Sequence, residues 1–145
     1  MTLEDARTLL EVAEWTLSHR KRRSTIRQLA RTEENYLLFI QELERVESEC
    51  FRAHSLRAEA TLTLVEWLKT LHYFHWYCAY CQIKPFQIMS HYVPLPQGGT
   101  TATNCIPACY HCRRCRQKED EYIRAYLAQL YTDSTCSNAL HMLHL

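Results

Sequence analysis

The chain has 145 residues, 47% of them hydrophobic, and a formal net charge of +1 at pH 7. This apolar share excludes an intrinsically disordered chain, and the length fits one domain, or one small domain with a helical extension. No apolar run approaches a membrane span and the opening Met1-Thr2-Leu3-Glu4-Asp5 is acidic where a secretory leader is basic, so a cytoplasmic protein without membrane contact is expected.

Glycine occurs only at 98 and 99 and proline only at 85, 94, 96 and 107, so residues 1–84 hold no strong breaker and read as helical. Thr2 with Asp5 resembles a capping pair, and Leu3, Ala6, Leu10, Ala13 and Leu17 follow at helical spacing. That helix is expected to end within 19–23, and Ser24 or Thr25 to cap a short second one carrying Ile26, Leu29 and Ala30. Thr32 before Glu33-Glu34 reads as a third start, with Tyr36, Ile40, Leu43, Val46 and Cys50 as its apolar face. A break is expected near Ser55 or within 61–63, after which Leu64, Leu68 and Leu71 resume the face. Three or four helices are thus expected in a helical region spanning 1–72. The aromatic cluster Tyr73, Phe74, Trp76, Tyr77 and Tyr80 reads as core rather than as a base-stacking platform.

Between Cys81 and Asn104 the residues Ile83, Phe86, Ile88, His91, Tyr92 and Val93 are β-prone and punctuated by Pro and Gly. Two short strands with a loop over 96–103 are expected. From Ala108 the chain turns helical again, with Tyr122, Tyr126 and Leu130 on one face beside Ile123 and Leu127. The expected fold is mainly α: the helical region, a small ββα zinc module over 73–132, and a loose tail over 133–145.

Four of the eight cysteines stand in two Cys-x-x-Cys pairs, Cys78/Cys81 and Cys109/Cys112, with 27 residues between. Such spacing favours a tetrahedral thiolate site for Zn2+, with each pair on a tight turn. Four thiolates close the coordination sphere, so this zinc would be structural. Cys115 stands three residues after Cys112, which leaves Cys112/Cys115 as a rival second pair. Cys50, Cys105 and Cys136 read as packing or surface thiols.

Charge is unevenly spread. Acidic residues are absent from Trp67 through Lys118, a stretch that holds Lys69, Lys84, Arg113, Arg114, Arg116 and Lys118. Local basicity on a near-neutral chain points to a polyanion. A second basic run, His19 to Arg23, reads as a solvated helix end.

The string Cys78-x-x-Cys81, His91-x-x-Pro94, Gly98-Gly99, Asn104, Cys109-x-x-Cys112 resembles an HNH endonuclease, over about 41 residues. The resemblance implies a ββα-metal fold braced by a four-cysteine zinc, and its spacing from Asn104 selects Cys109 and Cys112. It implies His91 as the general base that activates water and Asn104 as the residue that fixes the hairpin. Pro94 and Gly98-Gly99 would form the turn, and Arg113, Arg114, Arg116 and Lys118, at the start of the last helix, would lie against DNA phosphates. Two positions depart from the family pattern: the acidic residue before the base is Ser90, and the Asn or His after the last cysteine is Arg113. Both hold the catalytic metal in active members.

The leading expectation is therefore metal-dependent DNA cleavage with Mg2+ or Mn2+, weakened by those departures. A catalytically lapsed module that binds nucleic acid is the alternative, and an accessory subunit docking a protein partner through its helices is a third. A carboxylate or imidazole within reach of His91 would favour the enzyme. A basic surface without one would favour the binder, and an exposed apolar stripe over 33–71 the docking subunit.

Overall fold

The structure, a computed structural model, describes the backbone of residues 1–115 and 120–143, with side chains up to 113 and from 120 to 132. Four helices come first: α1 (Leu3–Thr16), α2 (Arg23–Ala30), α3 (Glu33–Ser55) and α4 (Leu64–Tyr73). The strands β1 (Ile88–His91) and β2 (Cys105–Ala108) follow, then α5 (Tyr110–Cys115) and α6 (Glu121–Leu143). The chain is thus mainly helical, with N-terminal helices leading into a small ββα-like region.

Local chemistry sets most helix starts. The Thr2 hydroxyl accepts from the Asp5 N–H at 3.1 Å, and the Thr32 hydroxyl accepts from the Asn35 N–H at 3.1 Å. Thr63 and Glu66 form a reciprocal capping box, with bonds of 3.2 and 2.9 Å. The chain therefore breaks at both expected places, after Ser55 and before Leu64. Two boundaries differ from expectation. α1 stops at Thr16, short of 19–23, where the Thr16 hydroxyl turns back onto the Ala13 carbonyl at 2.7 Å. α2 is capped by neither Ser24 nor Thr25. Its first carbonyl is that of Arg22, without a side-chain cap, and burial of Ile26 and Ala30 holds it in place.

The core lies between the first four helices and one face of the hairpin. Leu9, Val12, Ile26, Phe39, Trp67 and Leu71 are joined there by Met89 of β1 and Cys105 of β2. Glu42 stands on the buried side of α3 between Phe39 and Val46, and is itself buried. Its carboxylate accepts from Trp67 Nε1 at 3.0 Å and from Arg45 Nε at 2.8 Å, which offsets its desolvation. Arg45 also donates to the Gln87 carbonyl at 3.1 Å and lies over the Phe86 ring, so it ties α3 to the approach of β1.

The strands are antiparallel, pairing Ile88 with Ala108 and His91 with Cys105. A second cluster joins Ile106 of β2 to Phe74, Ile123, Tyr126 and Leu127. Tyr73 stacks on Tyr126 at 4.1 Å, and Tyr126 shares a 2.8 Å hydrogen bond with Thr70, so these two are packing, whereas Tyr77, expected in the same core cluster, is exposed. α6 runs on to Leu143, where a loose tail was expected over 133–145; no Gly or Pro follows residue 107 to stop it. Among the described residues no helix is long and apolar enough to cross a membrane.

Candidate functional site

The first Cys-x-x-Cys pair sits on a turn as expected. The Cys78 N–H donates to the Lys84 carbonyl at 2.8 Å, and the Gln82 N–H returns to the Cys78 carbonyl at 2.9 Å. Gln82 takes a left-handed conformation (φ 57°) to close it. The second pair sits instead at a helix start: Cys109 precedes α5, and Arg113 N–H bonds back to the Cys109 carbonyl at 3.1 Å. The Ala79 N–H bonds to the Pro107 carbonyl at 2.9 Å and holds the turn against β2.

The sulfurs of Cys78, Cys81, Cys109 and Cys112 lie within 4.8 Å of one another. A tetrahedron at the usual metal–sulfur length has edges of about 3.8 Å, so the four need little movement to hold a metal ion such as zinc. Burial raises the Cys78 and Cys112 thiols. Burial also raises Cys81, but the Lys84 and Ile83 backbone and the neighbouring thiols outweigh it and bring Cys81 down to about 7. Thiolates packed this closely repel one another, and a divalent cation is the natural counter-charge. Cys105 is buried outside this cluster with its thiol pushed up to about 12 by burial, and Cys50 donates to the Leu62 carbonyl at 3.6 Å. Both are packing thiols. The side chains of the rival Cys115 and of Cys136 lie outside the described residues.

His91 is buried at the end of β1, with Nε2 2.9 Å from the Thr100 hydroxyl. That hydroxyl donates its single proton to the Glu49 carbonyl at 3.1 Å, so it accepts from His91. Nε2 therefore carries the proton and Nδ1 keeps its lone pair. Burial holds the imidazole below its ordinary pKa; the Glu49 charge opposes this and the Arg52 charge adds to it. The ring is neutral at pH 7.

Asn104 fixes the loop between the strands. Its Oδ1 accepts from the Val93 N–H at 2.7 Å, and its Nδ2 donates to the Val93 and Gly99 carbonyls at 2.9 and 2.8 Å. Both amide protons are used, so its part is to shape the loop. A Cβ on Gly98 would stand 2.3 Å from the Val93 carbonyl oxygen and 2.6 Å from Asn104 Nδ2, which explains the glycine. One on Gly99 would meet the Glu59 carbonyl at 2.6 Å. This close approach lets Thr100 bond in both directions with the 59–62 segment, at 2.8 to 3.0 Å.

Beside His91 opens a cleft of about 370 Å³, lined by Ser90 and His91 of β1, Arg113 of α5, and Arg45, Glu49 and Arg52 of α3. Sequence reasoning missed the three α3 residues. Glu49 and Arg52 are joined by hydrogen bonds of 2.8 and 3.0 Å and are the nearest thing to a warning, since an acid and a base one turn apart read as a solvated pair. Of the expected phosphate-binding residues, Arg113 is exposed in α5, a short helix separate from α6, because Asp120 and Glu121 open a new helix. Arg113 and Arg114 therefore stand in α5 and do not begin the last helix. The Arg114 side chain, Arg116 and Lys118 lie outside the described residues. The other basic run is partly neutralised by α3: Lys21 pairs with Glu47 at 3.3 Å and Arg23 with Glu44 at 3.6 Å.

Comparisons with protein-family models, with curated proteins and with solved structures returned no match.

Proposed function

We propose that the cleft beside His91 hydrolyses phosphodiester bonds in DNA with the help of a divalent cation, in the manner the HNH resemblance implies. The observation that carries this is the Thr100–His91 bond, which leaves a neutral imidazole nitrogen free next to arginines that suit phosphate. His91 Nδ1 takes the proton from the attacking water. Arg113 holds a phosphate at the cleft. Asn104 keeps the loop after β1 in shape, and Thr100 keeps the imidazole upright and in the productive tautomer. A bound Mg2+ or Mn2+ would stabilise the leaving oxygen and the charge gathering on phosphorus. The four cysteines take zinc as a brace: with four sulfur ligands no position is left for substrate.

A lapsed module that binds DNA without cutting it is favoured by one observation. Ser90 and Arg113, which replace metal ligands of the resembled family, both line the cleft, and neither offers a good ligand to a hard cation. Docking of a protein through α3 has less support. Its exposed Leu37 and Phe51 are separated along one face by the exposed Gln41, Glu44 and Ser48. A plasmid-nicking assay with Mg2+ or Mn2+, run beside His91→Gln, tests the reading. Nicking that survives this change would overturn it, and DNA binding without nicking would select the lapsed module.

A further inference from the structure

We propose that Arg52 of α3 is the second phosphate ligand of this cleft, and that Glu49 is an internal competitor that holds Arg52 until a nucleic-acid phosphate displaces it. The proposal rests on the reading above that the cleft receives DNA, and it deepens that reading whether or not the DNA is cut.

The charges of the lining point to an anion. Among the described residues, Arg45, Arg52 and Arg113 line the cleft against one carboxylate, that of Glu49. The three guanidiniums are not alike. Arg45 is committed to the fold: its Nε donates to the buried Glu42 at 2.8 Å and its Nη1 to the Gln87 carbonyl at 3.1 Å. Its side chain is 19% exposed, and Glu42 balances its charge. Arg113 is exposed and has no acidic partner among the described residues. Arg52 lies between these extremes, paired with Glu49 yet 52% exposed. At rest one positive charge of the lining, that of Arg113, is left uncompensated. It matches the single negative charge of one phosphodiester.

The contact between Glu49 and Arg52 has the chemistry of a phosphate contact. Arg52 Nε and Nη2 both donate to one carboxylate oxygen, Oε2, at 3.0 and 2.8 Å. A phosphate oxygen is an acceptor of the same kind, and the guanidinium fork suits phosphate as well as carboxylate. The carboxylate gives way at low cost, because solvent screens so exposed a pair. Glu49 is 23% exposed, so it keeps contact with water once released. The pair also stands beside the base. After burial, the charges that bear on the His91 ring are Glu49, which favours its proton, and Arg52, which opposes it. Arg52 comes from α3 and Arg113 from α5, so a phosphate in this cleft is held from two elements rather than one.

The exchange has a signature in salt. Each guanidinium that takes a phosphate sets a counterion free. In the natural chain the released Glu49 takes a counterion back, so the Arg52 contact is hidden from the salt slope. Without the Glu49 charge it becomes visible.

The test measures binding of a short DNA duplex to the zinc-loaded chain across a range of salt, without Mg2+ or Mn2+ so that nothing is cut. Glu49→Gln keeps the backbone carbonyl that accepts from Thr100, and urea unfolding checks that each variant is folded. It should tighten DNA binding about threefold, the fold-change equivalent of an exposed ion pair, and steepen the salt slope by about one. Glu44→Gln removes the same charge from the same helix but frees Arg23, which does not line the cleft, and should change both much less. Adding Arg52→Gln to Glu49→Gln should cancel both gains. A folded Glu49→Gln protein that binds no more tightly than Glu44→Gln, or a gain that survives Arg52→Gln, would overturn the proposal. Binding with the expected dependence by a chain that never nicks DNA would support the proposal while the nuclease reading failed. DNA binding and nicking that both ignore Glu49→Gln and Arg52→Gln would overturn the proposal and leave the nuclease reading intact. A chain that binds no DNA would overturn both.

Discussion

The Thr100 hydroxyl stands between His91 Nε2, at 2.9 Å, and the Glu49 carbonyl, at 3.1 Å, and decides which imidazole nitrogen is free. Thr100 is fully buried, so no water can replace its bonds. Thr100→Val keeps the shape but leaves the buried His91 Nε2–H without its acceptor. We expect a loss of about 1–3 kcal/mol in urea unfolding, the cost of such a group, and a fall in any nicking. Thr100→Ser should restore both. A valine variant of full stability and activity would show that the hydroxyl positions nothing.

The pH dependence follows from His91. Its folded pKa lies below the ordinary value of about 6.5, because burial disfavours the charged ring. The unfolded chain therefore binds the proton more readily than the folded one. Stability from this group is complete above about 6.5 and is lost as pH falls from there toward the lower folded value. Nicking should persist below pH 6.5 for the same reason. In His91→Gln the part of the acid sensitivity that His91 causes should vanish, which unfolding curves between pH 5 and 8 will show.

Much of this was legible in the sequence because it is local. Caps at Thr2 and Thr32 and the pairing of cysteines depend on residues three or four apart, where backbone geometry alone brings side chains together. The residues that give the cleft its character are not local. Glu49 lies 51 residues before Thr100 and meets it because α3 packs on the hairpin. In a run with Glu44 and Glu47 it reads as one more solvated acid. Glu42 is similar: only its place between Phe39 and Val46 hints at burial, and its partner Trp67 is 25 residues away. The cap of α2 was misread because burial, not capping, holds that helix.

Zinc content tests the cysteine cluster. One zinc per chain is expected, and it should be lost from Cys109→Ser but retained by Cys115→Ser. Structural zinc supplies on the order of 10 kcal/mol to small modules, so strong chelators should unfold the 78–112 region. Metal analysis finding no zinc in fully folded protein would refute the site.

Arginine placement predicts where DNA binds. Arg113 has no acidic partner among the described residues and lines the cleft, whereas Arg23 pairs with Glu44 at 3.6 Å. Arg113→Glu should lower DNA affinity and reduce its salt slope by about one, whereas Arg23→Glu should change both little. Equal effects at the two sites would mean that binding is diffuse rather than centred on the cleft.

Restoring the missing ligands is the sharpest test of the chemistry. Ser90 and Arg113 line one cleft with His91 and Glu49, so ligands placed at 90 and 113 would reach the same space. A serine hydroxyl is neutral and a weak ligand for Mg2+, while a guanidinium has no lone pair to give and repels the ion. Ser90→Asp with Arg113→Asn would add a carboxylate and an amide oxygen and remove one positive charge. A carboxylate at position 90 supplies the anionic oxygen ligand that a hard cation wants. The double variant should therefore nick DNA faster and reach its maximum at lower Mg2+ than the natural chain. Its DNA affinity should fall at the same time, because Arg113 is lost as a phosphate contact, so the gain must appear in the rate at saturating DNA. Adding His91→Gln should abolish it, since better cation binding cannot replace the base. If the natural chain already cleaves well with Mg2+ and the double variant does not improve it, then the cation is held by residues other than those at 90 and 113, and Arg113 serves the reaction as a phosphate ligand.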